Sequence, residues 1–232
     1  MTKRKAKSAA DFLTELNADP DYVASRDIQE GARALREAQI RSASQPLLEE
    51  LMAAGYPLTS LAELLTRYAP LPAAIVDILL DRLAEMQDPA VQEQIVRALG
   101  ASAVPIPAEQ LIMLFRTTES NGLRYAIANT MAQAEVQGAG AWLLEAVRNP
   151  GFGVARQMLA LAVARRAPRV LANPILVGLL DDLPGHAALA LAESGEQQEV
   201  RALEVKYPTA SGWEKQEIGR AISVIRRRLA ES

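Results

Sequence analysis

The sequence predicts an all-α fold, an α-solenoid of helical hairpins behind an N-terminal helical cap. Three observations predict it. Half of the 232 residues are hydrophobic but only 4% are aromatic, and alanine and leucine dominate the apolar set. That balance suits closely packed helices better than strands, which favour β-branched and aromatic side chains. Helical periodicity then recurs in segments of 10–15 residues, separated by short turns bearing Pro, Gly, Asn or Asp. Finally, these segments pair, and the pairs recur about every 30 residues.

Residues 1–8 are expected as a disordered basic tail, 9–57 as the helical cap and 58–232 as the repeat array. Ser8-Ala9-Ala10-Asp11 has the spacing of a capping box and predicts a short helix through Leu16. Asp19-Pro20-Asp21 predicts a turn. A long helix should follow from about Tyr22 to Ala54, with Ile28, Ala32, Leu35 and Ala38 on one stripe. Pro46 predicts a kink or break in it, because proline brings no N–H and its ring crowds the preceding turn. Gly55-Tyr56-Pro57 marks its end.

Beyond the capping box Ser60-Leu61-Ala62-Glu63, the predicted pairs are 72–86 with 89–100, 107–117 with 123–134, and 139–148 with 153–166. Residues 172–181 with 186–194, and 196–206 with 211–229, complete the set, the last helix opened by the box Ser211-Gly212-Trp213-Glu214. Leu99, Met131, Ala162, Leu191 and Val224 take equivalent places in the second helices, at a step of about 30 residues. The core sets are expected to be Val91/Ile95/Leu99, Leu123/Ile127/Met131 and Val154/Met158/Leu161. Gln92, Glu93, Arg97, Arg124, Tyr125, Asn129, Arg156 and Gln157 are then expected to face solvent.

The segment DPAVQEQIVRALG, residues 88–100, has an Asp-Pro turn, an apolar residue two places on and an Ala-Leu-Gly close. In this it resembles the HEAT repeats, particularly the short bacterial form of phycobilisome-lyase-like proteins. The other pairs keep the hydrophobic spacing and lose the Asp-Pro and the final glycine. The resemblance covers roughly residues 60–230. It implies HEAT-like hairpins, a concave face lined by second helices, and a binding surface more than a reaction centre.

Composition narrows the chemistry. With no cysteine there is no disulfide, thiolate metal site or cysteine nucleophile, and a reducing cytoplasm is the expected setting. His186 is the only histidine, so the two-histidine metal sites of the HEAT-fold hydroxylases have no counterpart. His186 follows Pro184-Gly185 at a helix start and is expected to be a surface or capping residue. No catalytic constellation, cofactor motif or metal site is expected. Gly151-Phe152-Gly153 and Gly138-Ala139-Gly140 lack the lysine or third glycine of a phosphate loop, and Asp181-Asp182 reads as a turn. MTKRKAK is not followed by the apolar core of a signal peptide, and no run approaches the roughly 20 apolar residues of a bilayer span.

The net charge of −3 is uneven: residues 8–110 hold 16 acids against seven bases, residues 111–180 three acids against seven arginines. Arg124 and Arg156 lie one repeat step apart, with Tyr125 and Gln157 beside them, and suggest a small anion-binding ridge on the concave face. Arg97 joins that set, and Trp142 is a further candidate. The leading expectation is a non-enzymatic adaptor or scaffold that holds another protein on the concave face of the solenoid, without membrane contact. Nucleic acid is the alternative, suggested by the basic middle, Arg226-Arg227-Arg228, and the tryptophans Trp142 and Trp213, which DNA glycosylases of HEAT-like fold use around a damaged nucleotide. The acidic sequence pI of about 5.4 counts against it. A lyase-like chaperone is a third reading, from the resemblance alone.

Overall fold

A computed structural model describes residues 8–231. Apart from Ser8, the expected basic tail lies outside the described residues, as does the side chain of Asp11. The fold is all-helical: among the described residues there are thirteen α-helices, one 3-10 turn and two strands of two residues each. None of these helices is long and apolar enough to cross a membrane. The chain divides into two units, residues 1–45 and 46–232.

In the first unit, α1 (Ala9–Ala18) is followed after one residue by α2 (Pro20–Ala53). Asp19 makes that junction work. Its carboxylate accepts from the backbone N–H groups of Asp21 and Tyr22 at 3.0 and 3.4 Å, which are donors a helix start otherwise leaves unpaired. Pro20 fills the first helical position, where a missing N–H does no harm. Ion pairs one turn apart, Arg26–Glu30 at 3.8 Å and Arg33–Glu37 at 2.8 Å, support the helix. The expected stripe is present but uncovered: Ile28 is 73% exposed and Leu35 63%. The predicted break at Pro46 does not occur, and α2 runs on to Ala53. What changes there is burial, for Leu47, Leu48 and Leu51 belong to the core of the second unit.

The second unit holds the paired helices. After the short α3 (Glu63–Arg67) come α4 (Ala73–Glu85) with α5 (Pro89–Leu99), α6 (Ala108–Thr117) with α7 (Asn121–Gln133), and α8 (Gly140–Ala146) with α9 (Ala155–Arg166). Then follow α10 (Arg169–Gly178) with α11 (Pro184–Ser194), and α12 (Gln197–Lys206) with α13 (Gly212–Ala230). The expected pairs are all present, although α10 begins at Arg169, ahead of its predicted start at Ala172. The second members α5, α7, α9, α11 and α13 pack one upon the next, while the first members touch each other far less. A parallel bridge between β1 (Ile106–Pro107) and β2 (Val136–Gln137) ties two of the linkers.

Local chemistry explains most boundaries. Asp88 accepts from the N–H groups of Ala90 and Val91 with Pro89 behind it, and Ser120 accepts from Leu123. The boxes expected at Ser60 and Ser211 do not form. The Glu63 carboxylate binds the Thr59 hydroxyl and Arg67 instead, and Ser211 makes no side-chain cap. A capping box does form at Glu196 and Glu199.

The core repeats at a constant step along the chain. Val91, Leu123, Ala155 and Ala187 are buried in successive second helices, as are Ile95, Ile127, Leu159 and Leu191. This corrects the third expected set, because Val154 is 54% exposed and Ala155, Leu159 and Val163 face inward. The step from Val91 to Leu123 continues unbroken to Ala155, one residue past Val154, and the linker before it is irregular. Asn149 caps a 3-10 turn (Pro150–Phe152), Gly153 takes a positive φ of 50°, and α9 starts at Ala155. A one-residue offset turns a helix by about 100°.

Candidate functional site

The same constant step decides the fate of the expected ridge. Arg156 does not face solvent: it is 7% exposed, and its Nε donates to the Val147 carbonyl at 2.9 Å while Nη2 meets Asp182 at 3.2 Å. Arg124 does the equivalent work one repeat earlier, donating from Nε to Phe115 O at 3.3 Å and from Nη2 to Thr118 O. Gln92, at the same place in the repeat before that, donates to Met86 O at 2.8 Å. All three reach from the start of a second helix to the carbonyls that end the first helix of the same pair. Those carbonyls lack intrahelical donors, and a guanidinium satisfies two at once. The positions are equivalent as expected, but they point into the hairpin.

The other ridge residues do not assemble with them. Arg97 is exposed and held by Glu93 at 2.7 Å. Tyr125 and Gln157 are half-buried at equivalent places on α7 and α9. Trp142 is not a surface residue: it is 9% exposed and packs edge-on against Phe115 at 5.1 Å, which in turn meets Phe152 at 4.9 Å. Such T-shaped contacts are ordinary core packing.

Two further arginines of the basic middle, Arg165 and Arg166, and Arg228 of the last helix are engaged at helix ends, while Arg116 and Arg148 are exposed. Arg165 donates to Ala132 O at 3.0 Å and forks onto Glu193 at 2.7 and 2.5 Å. Arg166 reaches Met131 O and Gln133 O. Arg228 reaches Ala192 O and Glu193 O at 2.9 Å each, and Gly195 O. In each case an arginine of one second helix caps the C-terminus of the second helix before it.

His186 is half-buried, its ring packed at a tilt against Trp213 at 4.9 Å, and burial pushes its pKa below the usual histidine value. Gly185 beside it permits the approach, since a Cβ there would lie 2.2 Å from the Trp213 ring. Asp181 and Asp182 are paired with Lys206 at 2.8 Å and Arg156 at 3.2 Å. Among the described residues no group of three or more His, Cys, Asp or Glu side chains is placed to hold a metal ion.

The surface the sequence reading missed lies on the first helices. Four clefts open beside them. One of about 240 Å³ separates α4 and α6, lined by Leu83, Met86, Gln110 and Met113. Another of about 720 Å³ lies between α6 and the strand leading to α8, lined by Ile112, Met113, Arg116 and Gln137. The clefts on either side of α10, about 530 and 700 Å³, share Val170 and Pro174 as their common wall. Met113 is 57% exposed, Val170 79% and Leu171 52%. Pro174 adds a polar feature, for it has no N–H to give to the Val170 carbonyl one turn earlier. The available signal was Pro168 directly before Arg169-Val170-Leu171, which marks the start of α10 ahead of these residues. No protein-family model, no curated protein and no solved structure matches this chain.

Proposed function

We propose that this chain is a non-enzymatic protein-binding module, a solenoid of HEAT-like pairs that receives another protein along its first helices. The exposed apolar wall of α10, Val170 and Leu171 with a cleft on either side, is the observation that carries the reading. Adjacent large apolar side chains left in water are characteristic of surfaces that another protein covers. Met113 on α6 repeats the arrangement between two further clefts. Methionine adapts its shape to a partner side chain readily.

The closer packing of the second helices fits a stack that curves around them, with the first helices fanned on the outside. The receiving surface is therefore proposed to be the outer row rather than the concave face. A protein partner is favoured over nucleic acid because Arg124, Arg156, Arg165, Arg166 and Arg228 spend their donors on backbone carbonyls within the fold, and phosphate binding draws on free cations.

The test is site-specific photocrosslinking from positions 113 and 170 in the native host, with positions 125 and 161 on the second helices as comparison. A common adduct from 113 and 170 that disappears in a Val170→Asp/Leu171→Asp variant of unchanged thermal stability is expected. Adducts confined to 125 and 161, or none from any position, would overturn the reading.

A further inference from the structure

We propose that α2 carries a self-complementary surface, from Ala24 to Ser42, through which two copies of this chain pair antiparallel. Ala24, Ile28, Gly31, Leu35, Ala38 and Ser42 recur at alternating steps of four and three, the seam of a two-stranded coiled coil. All six are exposed, with Ile28 at 73% and Leu35 at 63%. A helix of this length gains most of its stability in proteins from a packed face, and this face has none within its own unit.

The occupant is identified by size and charge. Set antiparallel, one copy brings Ile28 against Ala38 of the partner subunit and Leu35 against Gly31 of the partner subunit. Each large side chain then meets a small one, which is how facing layers interdigitate without voids. Gly31 supports this register on its own. Glycine is among the poorest helix formers, and no atom lies within 4 Å of where its Cβ would be, so nothing inside the chain accounts for it. The space it leaves open is where the twofold operation delivers Leu35 of the partner subunit.

Charge agrees with the same register. The positions just before the seam residues Ile28, Leu35 and Ser42 are Asp27, Ala34 and Arg41. Antiparallel pairing sets Asp27 opposite Arg41 of the partner subunit, and the twofold repeats the pair. Ala34 meets its own counterpart at the axis, where a larger residue would hold the helices apart. Parallel pairing would set Gly31 on Gly31 and bring no opposite charges together across the seam. The Asp27 side chain is 59% exposed and held only by its neighbour Arg26, so it is accessible to a second copy.

Light scattering of the full chain over a concentration series tests the proposal. A dimer is expected, and Leu35→Asp should weaken it roughly hundredfold. Gly31→Leu should also give monomers while helicity by circular dichroism stays equal or rises, which separates a filled hollow from an unfolded helix. Asp27→Arg and Arg41→Asp should each weaken the dimer about tenfold, and mixing the two variants should restore it. The chain has no cysteine, so single cysteines take spin labels cleanly. Labels at position 34 should lie at the shortest distance, and labels at position 24 about 30 Å apart. A monomer at every concentration, a dimer indifferent to Leu35→Asp, or labels at 24 as close as those at 34 would overturn it.

Discussion

The Nε of Arg156 donates to the Val147 carbonyl at 2.9 Å, across the hairpin and out of contact with water. A buried acceptor that loses a charged donor stays unpaired, so Arg156→Met should destabilise the fold by roughly 2–3 kcal/mol. In a chain of this size that is a fall in Tm of about 4–12 °C. Asp182 is 62% exposed on its side chain, and Asp182→Asn should cost less than about 1 kcal/mol. Thermal unfolding of the two variants checks the difference; equal losses would mean that the ion pair, not the carbonyl cap, anchors Arg156. Charge reversal at Arg124 or Arg156 would report stability and say nothing about binding.

Much of the architecture was legible because it rests on local signals. Asp88-Pro89 and Ser120 start helices where their chemistry says they should, and the helix pairs follow from apolar spacing and turn residues. Ala155 and not Val154 holds the core place, because the step from Val91 to Leu123, taken once more, lands on Ala155. That step also carries Arg124 onto Arg156, so a strict period would have turned both arginines toward the hairpin. The capping by Arg165, Arg166 and Arg228 was not legible, since each bond joins one repeat to the repeat before it. A single sequence shows such arginines only as surplus charge. Pro46 does not end α2, although its local penalty is that of a helix breaker.

Gly185 and Trp213 form a second pair with a measurable consequence. A methyl group on Gly185 would lie 2.2 Å from one ring carbon and 2.6 Å from another, closer than any relaxed packing allows. Gly185→Ala should therefore displace the indole and lower stability by about 1–3 kcal/mol. With the ring removed, in Trp213→Ala, the same glycine substitution should be nearly neutral, since α11 is helical there and alanine is the better helix former. A double-mutant cycle by chemical denaturation measures this, and additive losses would exclude the clash as the cause.

His186 makes stability depend on pH in one direction. Burial holds its folded pKa below the unfolded value of about 6.5, so below that pH the unfolded chain binds a proton that the folded chain resists. Stability should be fully present above about pH 7 and decline as pH falls through the unfolded pKa, before most carboxylates begin to titrate. With one histidine in the chain, His186→Phe should flatten Tm between about pH 7.5 and 5.5. The same decline in that variant would assign it to other groups. Protonation should also change the fluorescence of Trp213, whose ring lies 4.9 Å from the imidazole.

Phe115 is fully buried and joins two helix pairs through its edge-on contacts with Trp142 of α8 and Phe152 of the turn before α9. Truncation there removes the central ring of a three-ring cluster and leaves a cavity beside Trp142 and Phe152. Phe115→Ala should accordingly destabilise by about 3–5 kcal/mol, whereas Phe115→Leu should keep most of the volume and lose about half as much. Trp142 is the natural reporter, because in Phe115→Ala its emission should shift to longer wavelength as water reaches the vacated space, even at temperatures where the fold persists. The assignment of Trp142 to the core would fail if its emission were already that of an exposed indole in the unmodified chain, measured in a Trp213→Phe background.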